Sequence, residues 1–282
     1  MVKNIKTLII EILADNGAGH YQEIHLKVES VRPHTPVHTI RARLSEMSRS
    51  NNLEHRLNAY GDGFYGLYNE NPNFVSVVSY PDRGPWGDSS YRGNCTGHIV
   101  KDLILRFKPQ SVFDPAEGGG TVRDVVNGIN QYLKYKIQYD GQDLKKGFNL
   151  LKSELPPKQY DFAFYHPPYW DIIRYSDNHH DLSNADSLED FEKKLNVSAE
   201  RLMTVVKPGG TMAILIGDKR KVGSYFPLMR SLLFNPKIGQ LKSIIIKIQH
   251  NCVSDRRSYK SNDPFFIPIK HEYCLLFQKT HV

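Results

Sequence analysis

Two adjacent prolines, Pro167 and Pro168, constrain this chain more than any other feature. They follow the apolar run Asp161-Phe162-Ala163-Phe164, which reads as a short buried strand. Neither proline can donate to a ladder, and each holds the residue before it extended. The strand must therefore end in a stiff turn, Tyr165-His166-Pro167-Pro168-Tyr169-Trp170, whose carbonyls lack ladder partners. A polar side chain precedes the prolines and two aromatic faces follow them. Carbonyl acceptors, a polar acceptor and a stacking ring together can grip a flat, amino-bearing ring. For these six residues alone, a plain loop closed by surface aromatics explains the pattern equally well.

A second stretch, Phe113-Asp114-Pro115-Ala116-Glu117-Gly118-Gly119-Gly120-Thr121, shifts that balance. A strand over 111–113 leads into it and a helix over 122–132 leaves it, the context such a loop requires. Glycines let a backbone approach a ligand that a Cβ would exclude, and the helix N-terminus behind them favours a carboxylate. The two stretches together resemble the signature of the amino-methylating DNA methyltransferases. In that family one strand ends in Asp-Pro-Phe-x-Gly-x-Gly-Thr and a later one in Asp/Ser/Asn-Pro-Pro-Tyr. Its members transfer methyl from S-adenosylmethionine to N6 of adenine or N4 of cytosine. The resemblance covers residues 90–280 and implies a Rossmann-like α/β sheet over 93–282.

It also implies roles. Asp114, Gly118, Gly120 and Thr121 would hold the cofactor, and Gly93-Asn94-Cys95-Thr96, through Asn94 and Thr96, would close over its methionine end. A strand over 136–139 leads into Asp140-Gly141-Gln142-Asp143-Leu144, where an acidic residue can take both ribose hydroxyls. Asp143 matches the family position and Asp140 is the fallback; either can instead cap a turn. His166, Pro167, Pro168 and Tyr169 would be catalytic, the histidine and turn carbonyls accepting the target amine while Tyr169 stacks on a flipped base. Trp170 would stand behind it or against the pocket wall, within reach of DNA. Two departures stand out. Ala116 replaces the usual aromatic of the glycine loop, which bears only on packing. His166 replaces Asp, Asn or Ser and removes the usual lean toward adenine or cytosine. A neutral imidazole accepts one hydrogen bond but a protonated one accepts none, so activity is expected to fall through the ordinary histidine pKa.

The first 70 residues read differently. Helical patterns over 6–14, over 21–31 (Ile24, Leu26, Val28 apolar) and over 39–47 precede an alternating stretch, 53–68, with a turn at Gly61-Asp62-Gly63. Three helices and a hairpin suggest a winged helix-turn-helix, and Thr39-Ile40-Arg41-Ala42-Arg43-Leu44 with Gly63-Phe64-Tyr65-Gly66-Leu67-Tyr68 resembles the small module fused to restriction and chromatin proteins. Arg41 and Arg43, with Arg49, would face DNA; the competing reading is a protein-interaction module with a solvated arginine face. Residues 71–92, with a strand over 74–80, form a connector.

In 282 residues a sizeable core fits, and a net charge of +7 suits an anionic partner, double-stranded DNA first. Cys95, Cys252 and Cys274 lack metal spacing and cannot all pair, the start lacks signal-peptide architecture, and no apolar run is bilayer-length, so a cytoplasmic, nucleoid-associated location without metal is expected. Past the Pro-Pro turn come a polar loop over 171–187 and a helix over 188–206 stopped by Lys207-Pro208-Gly209-Gly210. A buried strand over 211–216 and a helix over 226–233 follow. Lys219 and Arg220, with Lys221, are candidates for phosphate at the site's rim. His250, Asn251, Arg256 and Arg257 are candidates for base reading. Strands over 244–248 and 269–277 complete the sheet. The expectation is a DNA amino-methyltransferase with a winged-helix domain in front. The alternatives are a protein glutamine-amide methyltransferase and a DNA-binding regulator inactivated at His166. Whether a cognate restriction endonuclease accompanies it stays open.

Overall fold

The computed structural model describes residues 4–16, 18–51, 56–67, 75–133, 136–251 and 264–280. The chain opens with α1 (Ile5–Asn16), the short β1 (Gly19–His20), α2 (Tyr21–Val31) and α3 (Val37–Ser48), followed by β2 (Leu57–Gly61) and β3 (Phe64–Leu67). Leu8, Ile9 and Leu13 of α1 meet Ile24 and Val28 of α2 and Ile40, Leu44 and Met47 of α3 in one buried cluster. Leu26, expected on the apolar face, is 64% exposed, because a residue two positions on points to the opposite side of a helix. α2 starts on a reciprocal cap. The Gln22 amide donates to His20 Nδ1, and the His20 amide donates to the Glu23 carboxylate. Asp62 (φ 49°) and Gly63 (φ 84°) supply the two positive φ angles of a tight hairpin. β1 then joins β3, giving the order β1-β3-β2. The expected boundary near residue 70 lies outside the described residues, as do Leu53, Tyr68 and the start of the expected 74–80 strand.

The remaining chain builds one open sheet from β4 (Val77–Ser79), β5 (Ser111–Asp114), β6 (Gln138–Gly141), β7 (Tyr160–Tyr165), β8 (Val206–Gly217), β11 (Gln240–Ile248) and β12 (His271–Gln278). The order is β4-β11-β12-β8-β7-β5-β6, and β12 alone runs against its neighbours. The helices α4 (Gly97–Phe107), α5 (Thr121–Asn130), α6 (Leu188–Thr204) and α7 (Arg230–Leu233) cover it. Both faces are buried, and the strand period of two sorts the side chains. Val112, Phe162, Phe164, Ala213 and Leu215 face α4 and α5, whereas Phe113, Ala163, Tyr165, Met212 and Ile214 face α6 and α7. This is a Rossmann-like α/β sheet. From β5 the chain moves outward to β6, then returns across β5 to β7. The crevice between the carboxyl ends of β5 and β7 is therefore the topological switch point, where such sheets bind ligands.

Two expectations fail locally. Lys207-Pro208-Gly209-Gly210 does not stop a helix reaching residue 206: α6 ends at Thr204, and the four residues belong to β8. They are absorbed where the register with β7 jumps from Tyr160↔Val206 to Phe162↔Thr211, and Gly209 and Gly210 exchange backbone bonds with Lys279. A Cβ on Gly210 would sit 2.9 Å from the Asp161 and Lys207 carbonyls, so the bulge needs glycine there. The helix expected over 226–233 is cut to Arg230–Leu233. Pro227 keeps Phe226 extended, and Phe226 instead closes the hairpin of β9 (Lys219–Lys221) and β10 (Ser224–Phe226).

Candidate active site

The loop after β5 turns because Gly118 (φ 52°) and Gly120 (φ 82°) take backbone angles that side chains disfavour. Asp114 at its mouth is buried; its Oδ1 accepts the Ala116 amide at 3.1 Å and its Oδ2 the Tyr139 hydroxyl at 3.4 Å. Burial pushes its carboxyl up to about 7. Asp143, beyond β6, accepts the Gly118 amide at 3.0 Å through one oxygen and the Lys145 amide at 2.9 Å through the other. It thus ties the glycine loop to the next strand, and each oxygen keeps a lone pair. Asp140, the fallback, turns instead to the Tyr160 hydroxyl and Lys158. Asn94 accepts the Thr121 hydroxyl and donates to the Asp88 carbonyl at 3.1 Å. Thr96 caps α4 by accepting the His98 amide at 3.3 Å.

One cavity runs along this crevice. Asn94, Asp114, Gly118, Thr121, Asp143, His166 and Pro168 line it; Thr96 and Gly120 do not. Phe148, Leu150 and Leu182 give it an apolar wall, and Tyr91 and Tyr175 also line it with rings stacked at 6.1 Å. A Cβ on Gly93 would collide with the Tyr175 hydroxyl. None of these five side chains stands in a motif, and only the tertiary contact reveals them.

The Pro-Pro turn leaves β7 into the same crevice. A second cavity adjoins the first, and His166, Asn94, Gly93 and Tyr175 line both. Its other walls include Pro167, Tyr169, Lys219, Arg220 and Glu272. His166 Nε2 lies 2.8 Å from the Tyr169 hydroxyl, which donates to Glu272 Oε1 at 2.9 Å. Glu272 Oε2 accepts Lys247 Nζ at 2.6 Å. Burial pushes the imidazole of His166 down to about 4, with Lys247 and Arg83 adding to the effect and Glu272 opposing it. Burial and then Glu272 raise the Tyr169 phenol well above its usual value. Burial alone would raise the Glu272 carboxyl; the Lys247 ammonium, helped by a hydrogen bond from Gln249, outweighs it and holds that carboxyl below the usual range. Burial thus favours the neutral imidazole in ordinary buffers, which argues against the expected fall of activity through the ordinary histidine pKa. Glu272 was missed in the sequence. The signal was there: a lone acid at the head of the apolar run of β12.

The DNA-facing candidates are dispersed. Arg41 and Arg43 are exposed on α3, the first over the Tyr21 ring at 4.9 Å and the second paired with Glu46 at 2.6 Å. Trp170 offers no open face. It is buried at a left-handed backbone (φ 51°), its Nε1 donates to the Ala185 carbonyl at 3.1 Å, and Lys219 and Lys221 lie over its ring. Lys219, buried and paired with Asp171, has its ammonium lowered to about 8 by burial and then by Lys221. Arg220 donates to the Ile267 carbonyl at 3.1 Å. His250 bonds the Ser79 hydroxyl at 2.8 Å, and Asn251 is exposed. Arg256 and Arg257 lie outside the described residues. Among the described residues no helix is long and apolar enough to cross a membrane, and no group of three or more His, Cys, Asp or Glu is placed to hold a metal.

No family model and no curated protein matches the chain. Several solved structures are similar to it. One, from Listeria monocytogenes, is provisionally identified as a class I S-adenosylmethionine-dependent methyltransferase; it is 19% identical over 66% of this chain and 59% of its own, with a TM-score of 0.41. Another, a provisionally identified DNA modification methylase from Thermus thermophilus complexed with S-adenosyl-L-methionine, is 22% identical over 47% of this chain and 52% of its own, with a TM-score of 0.33. A third, from Galdieria sulphuraria, is provisionally identified as a sarcosine dimethylglycine methyltransferase; it is 14% identical over 66% of this chain and 84% of its own, at 0.42. The chain thus spans between about half and three-fifths of the length of the first two.

Proposed function

We propose that the protein is an S-adenosylmethionine-dependent methyltransferase acting on the exocyclic amine of adenine or cytosine in DNA. The observation that carries this reading is the meeting of two cavities at His166, one along the glycine loop and one opening beyond the Pro-Pro turn. The residues of the first fit the cofactor's chemistry. The α5 N-terminus behind the glycine loop suits a carboxylate. Asp143 has lone pairs left for ribose hydroxyls, and Phe148, Leu150 and Leu182 offer an apolar slot for a purine ring. When bound, the cofactor supplies an electrophilic methyl group.

The chain's own residues prepare the amine. Its lone pair is delocalised into the base, so it is a poor nucleophile until acceptors at its hydrogens draw the nitrogen toward a tetrahedral shape. His166, held neutral, is one such acceptor. The Pro167 carbonyl, which no hydrogen-bond donor among the described residues satisfies, is a second. Positioning and electrostatics then carry most of the rate. The base must leave the duplex to enter the second cavity, where Lys219 and Arg220 would meet a phosphate backbone by exchanging Asp171 and the Ile267 carbonyl. The N-terminal helices and hairpin support a winged helix-turn-helix reading, with exposed Arg41 and Arg43 toward DNA.

The test uses labelled S-adenosylmethionine with mixed-sequence duplex DNA, followed by digestion and separation of nucleosides. Label in N6-methyldeoxyadenosine or N4-methyldeoxycytidine is expected. Cofactor bound without label on DNA would defeat the reading. Label on a protein glutamine would move the substrate to a protein amide.

A further inference from the structure

A neutral histidine accepts at only one nitrogen, so the tautomer of His166 decides whether it can receive an amine at all. We propose that Glu272, acting through Tyr169, fixes His166 with its proton on Nε2 and so makes Nδ1 the acceptor for the substrate amine. The role of that amine rests on the methyltransferase reading above; the tautomer does not.

The argument follows hydrogen-bond polarity from one charged end. Glu272 on β12 is the direct cross-strand partner of Lys247 on β11, and both are buried. Lys247 Nζ donates to Glu272 Oε2 at 2.6 Å, so the carboxylate is ionised, and an ionised carboxylate only accepts. The Tyr169 hydroxyl, 2.9 Å from Oε1, must therefore donate to it. With its single proton committed, that hydroxyl can only accept from its other neighbour, His166 Nε2, at 2.8 Å. Nε2 accordingly carries the hydrogen. Nδ1 keeps its lone pair and makes no hydrogen bond within the described residues, and the side chain is only partly buried. The side chain that bears it lines both cavities. In the opposite tautomer an N–H would face the amine hydrogens and the acceptor would be lost. Glu272 and Lys247 are thus positioning residues, and the strand pair β11–β12 sets the chemistry of a turn on β7.

Glu272→Gln gives a sharp test. Lys247 still requires an oxygen, so the amide NH2 is left toward Tyr169. It donates to the phenol, whose proton turns to His166 Nε2, and the ring must move its own hydrogen to Nδ1. The readout is heteronuclear NMR of the imidazole nitrogens, with the His166 signals assigned by their absence in His166→Asn. The expected result is an Nε2–H ring in the wild type and an Nδ1–H ring in Glu272→Gln. In that variant kcat should fall about 10²-fold with little change in KM for DNA. Because Nε2–H is also the commoner form of free histidine, the inversion in the variant is the deciding arm. A folded Glu272→Gln protein that keeps the Nε2–H ring overturns the proposal. Inversion with unchanged kcat overturns the role of Nδ1. Should that variant not fold, Tyr169→Phe leaves the Glu272–Lys247 pair intact and cuts the relay. A mixed tautomer and reduced kcat are then expected, and no change in either refutes the relay. Inversion in a protein whose wild type never labels DNA would overturn the DNA reading and leave the tautomer assignment standing.

Discussion

Acidifying the assay from pH 7 to 5.5 should leave kcat at saturating cofactor flat, although a histidine sits at the centre of the proposed chemistry. With its pKa at the ordinary 6.5, about nine-tenths of the imidazole would be protonated at pH 5.5 and its acceptor lost. Burial pushes it down to about 4, so only about three per cent is protonated at that pH. Every charged neighbour supports or tolerates this. Lys247 and Arg83 disfavour the cation, and Glu272 favours it without overcoming burial. Saturating cofactor keeps the Asp114 carboxyl, which burial places at about 7, out of the measurement. Stopping below pH 7.5 keeps out Lys219, at about 8. The assay is initial-rate methyl transfer to duplex DNA in constant-ionic-strength buffers, with His166→Asn beside the wild type. A one-proton fall centred near 6.5 in the wild type and absent in His166→Asn would refute the burial argument. Stability follows the same pKa. The unfolded chain takes this proton near 6.5 and the folded protein near 4, so between them the unfolded state holds more protons. The contribution is full above about pH 6.5 and is lost as pH falls toward 4, by at most about 1.4 kcal/mol per pH unit. Denaturant unfolding of wild type and His166→Asn between those values reads the difference, which also cancels the background from His20 and His98, both lowered by burial.

Gly120→Ala should cost about 1–2 kcal/mol, because its φ of 82° and its closeness to the Arg123 guanidinium both oppose a Cβ; thermal unfolding checks it, and a neutral result would contradict the loop geometry. Asp143→Ala removes the acceptor shared by the Gly118 and Lys145 amides, so cofactor affinity by calorimetry should drop about tenfold or more, one hydrogen bond to a charged group being worth about 1.5–3 kcal/mol. Trp170→Ala should destabilise the fold by about 3–5 kcal/mol, as loss of a core aromatic does; a stable variant with weakened DNA binding would instead make it a surface contact. Arg41→Ala with Arg43→Ala should flatten the dependence of log K for DNA on log salt by about 0.9 for each phosphate no longer neutralised, and an unchanged slope would remove α3 from the DNA surface.

The sequence by itself determined the punctuation of this protein. Pro167 and Pro168 had to end a strand, Gly118 and Gly120 had to turn the chain where side chains resist, and Asp62-Gly63 had to make a tight hairpin, because backbone sterics act over a few residues and need no partner. Periodicity located the buried strands and helices for the same local reason. It failed where a distant strand intervened. The run Lys207–Gly210 reads as a helix stop until β7 and Lys279 draw it into β8; Leu26 failed for a local reason instead, since helix geometry itself turns that position outward. Only the tertiary structure decided the state of the site. A lone sequence cannot reveal that Glu272, on the last strand, orients a hydroxyl on the Pro-Pro turn, or that burial strips a histidine of its ordinary titration. Desolvation and hydrogen-bond polarity depend on what surrounds a group in space, and the chain supplies those neighbours from more than a hundred positions away.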